Sequence, residues 1–138
     1  MADDKALYAT FLKYKAAVPK IAKTVLSDQD KANLMKKIDI ALAALKLSID
    51  SHDKLIDEKL KFADERGKFE KIFDTRQTQL NKKIGDFKKI MSGAQKESAG
   101  VKSWLAGSKD QLVAKIAHDF EAAGDAFYAS DASISPYQ

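Results

Sequence analysis

Imidazole is the side chain best suited to ligate a metal or move a proton near neutral pH, and this chain has only two. The neighbours of His52 at three and four residues are Ser48, Ile49, Leu55 and Ile56. It therefore sits on an apolar helix face with no carboxylate, the setting of a core or interhelical histidine. His118 has Glu121 three residues on, which is half a metal site. A di-iron helical bundle needs two Glu-x-x-His motifs and two further carboxylates, and the chain contains no Glu-x-x-His. Neither a metal nor any other cofactor is expected.

Asp50, Asp53, Asp57 and Asp64 recur at helical spacing, and paired carboxylates can hold a divalent cation or act as acid and base. No glycine turn, histidine or convergent polar set accompanies them, so they read as a solvated helix face. The chain has no cysteine, hence no thiol nucleophile, thiolate metal site or disulfide. Its serines gather at caps and linkers without a Gly-x-Ser-x-Gly, and it has no glycine-rich phosphate loop. No catalytic residue is assigned, and the protein is not expected to be an enzyme.

The remaining chemistry is that of surfaces. Lys82, Lys89 and Lys96 repeat every seven residues opposite an apolar stripe, with Lys83 and Lys88 on the flanks. Such a basic amphipathic helix suits an acidic partner, anionic lipid or a polyanion. Sequence-specific nucleic-acid recognition is disfavoured: 22 basic residues are lysines and two are arginines, whereas arginine reads guanine edges and grips phosphates bidentately. Arg76 falls among Phe62, Phe69, Phe73 and Phe87, and is expected to face inward as part of a buried ion pair, as a register device or as a contact to another chain. Trp104 lies beside the Gly100 and Gly107 breaks and is expected to cap the bundle end or meet a partner. Arg76, Lys82, Lys89, Lys96 and Trp104 are thus the candidate interaction residues.

The elements that must position these residues are helices. Leu7, Phe11, Tyr14, Val18, Ile21 and Val25 recur at steps of four and three, starting from Asp3 and Asp4, whose charge suits a helix N-terminus. Pro19 interrupts this run without changing its phase, so a kink or short break is expected. Ser27 is the strongest helix start, with Asp30 three residues on. Met35, Ile38, Leu42, Leu45, Ile49, His52 and Ile56 then fit heptad positions, and Ile84, Phe87 and Met91 return to the same register. Between them the seam slips, with Lys59 and Arg66 in core positions, and a turn is expected near residues 64–68. Without it, residues 28–91 would form a rod of roughly 96 Å at 1.5 Å per residue.

Ser92-Gly93-Ala94 and Ser98-Ala99-Gly100 read as a linker, followed by a short helix that Gly107 ends. Ser108 with Gln111 forms a capping box ahead of the last stripe, Leu112, Val113, Ile116, Phe120, Ala123 and Phe127. The expected fold is all-α: an antiparallel bundle of three to four long helices with coiled-coil-like packing. Residues 1–128 form its single domain and residues 129–138 a flexible tail.

Charge alternates along the 138 residues: +3 over 1–27, −1 over 28–66, +5 over 67–96 and −3 over 97–138. Neighbouring antiparallel helices of opposite sign attract, which accounts for the pattern without a ligand. The charged start lacks the apolar stretch of a signal peptide, and no run approaches the roughly 18 apolar residues of a membrane span. A soluble cytoplasmic protein is expected, with signal-less export open. The expected function is that of a non-enzymatic interaction or assembly protein, self-associating or bound to a protein partner. A peripheral protein on lipid or a particle surface is the alternative, and a weak sequence-independent nucleic-acid binder ranks behind it.

Overall fold

The computed structural model describes residues 2–138; Met1 and the side chains of Ala2 and Phe69 lie outside the described set. Its α-helices are α1 (Ala2–Ala17), α2 (Asp28–Glu65), α3 (Phe73–Leu105) and α4 (Gln111–Ala132). Ion pairs and hydrogen bonds fix their directions. Lys15 meets Asp39 across α1 and α2 (2.8 Å), Lys83 meets Glu58 across α2 and α3 (3.0 Å), and Lys102 meets Glu121 across α3 and α4 (3.4 Å). Each successive helix therefore runs antiparallel to the last, and the Tyr14–Asp119 hydrogen bond closes α1 onto α4. The expected all-α antiparallel bundle is the fold.

Helix lengths shape the molecule. With 38 residues, α2 is roughly 57 Å long, whereas the 16 residues of α1 span only about 24 Å. Asp4 near the start of α1 lies beside Ser48, and Lys88 of α3 lies beside Asp131 near the end of α4. Beyond that level α2 and α3 continue alone as a two-helix hairpin. The four-helix body is filled by Phe11, Leu34, Ile38, Leu45, Ile84, Met91, Ile116, Phe120 and Phe127, each buried to within 1% of full enclosure. The Phe11 and Phe120 rings meet edge to face at 4.8 Å, the geometry the ring quadrupoles favour.

Local chemistry explains most boundaries. Ser27 caps α2 by accepting the Asp30 N–H (3.1 Å). Helix α1 ends at Ala17, where Val18-Pro19-Lys20 form a 3-10 turn because proline cannot continue the α ladder. Ile21 after the proline is buried as expected, but Val25, expected inside, is exposed and Leu26 is buried in its place. The turn between α2 and α3 falls where the seam slips, with a 3-10 segment Arg66–Phe69. Gly107 adopts φ of +81°, the left-handed conformation that favours glycine, and follows the end of α3. Asp110 rather than Ser108 caps α4, accepting the Val113 N–H (3.0 Å), while Ser108 accepts the Asp110 N–H (3.3 Å).

Two expectations are corrected. Residues 92–100 are not a linker, because α3 runs through them unbroken. Met91, Ala94, Ser98, Val101 and Leu105 keep the helical spacing and are all buried, so the small residues continue the inward face. They let α4 approach closely: a Cβ on Gly124 would stand 3.6 Å from the Ser98 Cβ. The chain end also differs from the tail expected over 129–138. Helix α4 continues to Ala132, and the residues after it lie against the hairpin, with Ile134 buried.

A continuous α3 makes a specific forecast. Nothing lies within 4 Å of a Cβ built on Gly93 or Gly100. Gly93→Ala and Gly100→Ala should each stabilise the protein by about 0.5–1 kcal/mol in urea unfolding, as expected for exposed helix-interior sites. Destabilisation by both would show that the segment is a turn after all.

Candidate functional site

Apart from Ser98, which packs beside Gly124, the buried polar side chains among the described residues gather at one level, where the four-helix body gives way to the hairpin. Asp4 on α1, Ser48 on α2 and Ser130 on α4 are 1%, 2% and 0% exposed. The Ser48 hydroxyl lies 2.8 Å from Asp4 Oδ2 and 2.9 Å from Ser130 Oγ, so it joins three helices. One turn further along α2, buried His52 faces the Ser133 hydroxyl through Nε2 and Asp53 Oδ1 through Nδ1 (2.9 Å). The Ser133 hydroxyl donates to the Ser130 carbonyl (2.9 Å), which ties the second group to the first.

The sequence puts these residues there by phase. Asp4 stands three residues before Leu7 in the α1 stripe, Ser48 three after Leu45, and Ser130 three after Phe127. Each occupies an inward position that a hydrophobic side chain would otherwise take. The signal was therefore present in the spacing, but these types read more readily as caps and helix stops. Buried hydrogen-bonded groups cost little only when their partners are in place, so such a layer defines which turns of the helices face one another.

Both His52 ring nitrogens face oxygen. An imidazolium donates to Asp53 and Ser133 at once, whereas the neutral ring donates to Asp53 and draws the Ser133 proton away from the Ser130 carbonyl. The His52 hydrogen bond holds the exposed Asp53 carboxyl below its usual range, since it favours the charged form. That contribution to stability is present above the usual aspartate pKa and fades as pH falls through the lowered one. Ser48 and Ser130 are enclosed in the layer, whereas Ser133 is shared between the His52 ring and the Ser130 carbonyl.

On the far side of this layer Lys88 reaches from α3 to the end of α4. It pairs with Asp131 (3.1 Å), and donates to the carbonyls of Asp131 and Ile134 (2.7 Å for the latter). A cation here satisfies carbonyls that the helix end leaves free. The chain then runs along the hairpin. Lys59, whose place in the apolar seam looked like a defect, donates to the Ser135 carbonyl (2.7 Å). Asn81 grips Tyr137 from both sides, accepting its N–H (2.7 Å) and donating to its carbonyl (2.9 Å). The Tyr137 ring stands edge-on to Phe62 at 4.9 Å, and Phe62 stacks on Phe73 at 5.2 Å. The C-terminal segment thus covers part of the two-helix seam.

The five residues singled out for interaction are strung along α3 and do not converge; from Arg76 to Trp104 is roughly 42 Å of helix. Arg76 is exposed, not inward, because Phe73, Gln77, Leu80 and Ile84 carry the face towards the rest of the protein. It lines a cavity of about 250 Å³ with Glu58, Phe62 and Leu80. Lys82 is exposed and pairs with Asp86 one turn on (3.1 Å). Lys89 and Lys96 are exposed and make no ion pair among the described residues. Trp104 is 38% exposed, so it is not sealed as a lid.

Asp50, Asp53, Asp57, Asp64 and His118 are all exposed, and no three potential metal ligands cluster among the described residues. No helix among them is long and apolar enough to cross a membrane. The chain matches no protein-family model, no curated protein and no solved structure.

The α1 stripe includes Tyr14, which is buried as expected, but nothing in the sequence pointed to the partner of its hydroxyl, which donates to Asp119. Burial first, then that hydrogen bond and the Asp119 charge, raise its pKa far above the usual 10.0. A raised pKa gives stability that is whole below about pH 10 and is lost as pH climbs towards the shifted value. The urea midpoint should therefore fall between pH 9 and 11 more steeply in the wild type than in Tyr14→Phe. Equal slopes would mean that Tyr14 titrates as a free tyrosine.

Proposed function

We propose that the chain is a non-enzymatic helical interaction protein that acts through its surface and pairs with a second copy along the α2–α3 hairpin. The observation that carries this reading is the hairpin itself. Past the polar layer it has no helix of the body packed on it, only the C-terminal segment. Leu60 there is 61% exposed and Ile72 is 47% exposed, so large apolar side chains stand in water where the hairpin is least covered.

A second copy suits this surface for two reasons. Residues 58–76 carry six basic and five acidic side chains. A patch of mixed sign can face itself about a two-fold axis, whereas a patch of one sign would repel its own copy. The exposed Leu60 and Ile72 also give the patch apolar side chains that a second copy would cover.

Lys89, Lys96 and the 47% exposed Ile90 on α3 favour a second reading, contact with an anionic surface. Light scattering coupled to size exclusion separates the two. Self-association predicts a mass rising with concentration to twice 15.2 kDa, and a return to the monomer in Leu60→Asp or Ile72→Asp. A wild-type monomer at every concentration, together with pelleting on anionic vesicles at low salt, would replace the first reading with the second.

A further inference from the structure

We propose that His52 is a proton-controlled latch: its charged ring holds Ser133, and with it residues 134–137, against the α2–α3 hairpin, and the neutral ring lets that segment go. Three contacts meet at this point, and each needs one hydrogen. Nδ1 of His52 faces Asp53 Oδ1 (2.9 Å), Nε2 faces the Ser133 hydroxyl, and that hydroxyl donates to the Ser130 carbonyl (2.9 Å). The Asp53 carboxyl, held below its usual range first by the His52 hydrogen bond, is ionised and brings no hydrogen. A carbonyl brings none either. Nδ1 must therefore carry a hydrogen, and the Ser133 hydrogen is spent on Ser130. The third contact forms only if Nε2 carries a hydrogen too, which makes the ring an imidazolium. A neutral ring and one hydroxyl leave one of the contacts empty.

The surroundings accept the extra charge. Asp53 on α2, and Asp4 on α1, which reaches Ser48 one turn away (2.8 Å), meet no lysine or arginine among the described residues. On α3, the Phe87 ring packs against His52 at 6.1 Å and brings no charge. Lys88 is spent on Asp131 of α4 (3.1 Å) and on two carbonyls. Lys59, two turns along α2, is spent on the Ser135 carbonyl. Three carboxyl groups thus stand around the ring against two ammoniums, so a cation at His52 meets attraction and not repulsion.

Ser133 passes the state of the ring on to the chain end. It is the one residue between Ala132, where α4 ends, and Ile134, which is 3% exposed. Lys88 straddles it, donating to the carbonyls of Asp131 and Ile134, so Ser133 and Ile134 move together. Beyond them the segment is lightly held. Lys59, Gln77 and Asn81 grip the backbone of Ser135 and Tyr137, and one ring rests on Phe62 (4.9 Å) and Phe73 (6.2 Å). A segment with so few buried contacts opens at low cost, and losing the Ser133 anchor lowers that cost further. Departure of Tyr137 uncovers the Phe62–Phe73 pair. A proton bound at His52 favours the covered state, and its loss as pH rises favours the open one. The latch works within a single chain, whether or not it pairs with a second copy.

Amide hydrogen exchange, read by NMR on the full-length chain, tests this through the Tyr137 N–H that donates to Asn81 (2.7 Å). Corrected for the intrinsic exchange rate, its protection should fall by about fivefold or more as pH rises from about 5 to 8, the span in which histidines change charge. In His52→Gln, which forms hydrogen bonds but takes up no proton, protection should not vary with pH. Coupling between sites is reciprocal. Tyr137→Ala, at the far end of the segment, should therefore lower the pH at which the His52 ring signals titrate by about half a unit or more. The signals of exposed His118 should stay where they are. That second reading decides the matter should His52→Gln fail to fold. The proposal is overturned if wild-type protection is flat with pH, if it falls equally in His52→Gln, or if His52 titrates at the same pH in Tyr137→Ala as in the wild type.

Discussion

The hydrogen bonds that the Ser48 hydroxyl makes to Asp4 and Ser130 are the constraint on which this structure turns. Apolar stripes on α1, α2, α3 and α4 are tolerant partners, since a helix shifted by a turn would still bury leucines against phenylalanines. A buried carboxylate and two buried hydroxyls are not tolerant. They must meet one another or lose water without compensation. Placing Asp4 opposite Ser48 fixes how far α1 reaches along α2, and placing Ser130 there fixes where α4 arrives. The end of the four-helix body follows, and with it the length of hairpin left beyond.

What lies on either side of this layer depends on it. Towards the body, Tyr14 and Asp119 meet because α1 and α4 are held in that register. Away from it, Ser133 turns back on Ser130, Lys88 satisfies the last carbonyls of α4, and residues 134–137 are directed along the hairpin. Asn81, Lys59 and the Phe62–Phe73 pair then hold that segment. The weak stretch of the seam is therefore completed by the chain's own terminus, and the tip beyond keeps Leu60 and Ile72 in water. That division, a closed body and a partly covered hairpin, is the ground on which the hairpin is proposed as a contact surface.

Much of this was legible in the sequence, for reasons that particular residues make clear. The stripe from Leu34 to Ile56 and the Ser27 cap are strong local signals, and the structure has α2 starting where they place it. The turn near residue 66 was visible as Lys59 and Arg66 occupying seam positions. Local chemistry misled where it competed with periodicity. Ser92, Gly93, Ser98 and Gly100 have the composition of a linker, yet Met91, Ala94, Ser98 and Val101 keep the helical step, and close packing on α4 decides the outcome. The same competition hid the polar layer, because Asp4 and Ser48 look like helix-end residues while sitting in phase with Phe11 and Leu45. Arg76 went wrong in the opposite way: the slip in register turned an apparent seam position outward. The docking of residues 134–137 rests on contacts 46 to 76 residues distant along the chain, which no local pattern announces.

A double-mutant cycle on Ser48→Ala and Ser130→Ala, read by urea unfolding at pH 7, tests the central claim most directly. Ser48→Ala removes the donor from a buried carboxylate, so a loss of about 1–3 kcal/mol is expected, and the two losses should be coupled. With Ser48 already replaced, Ser130→Ala should cost at least about 0.5 kcal/mol less than it does alone. Two small, strictly additive losses would contradict the account, because they would mean that the polar layer does not hold α1, α2 and α4 in register.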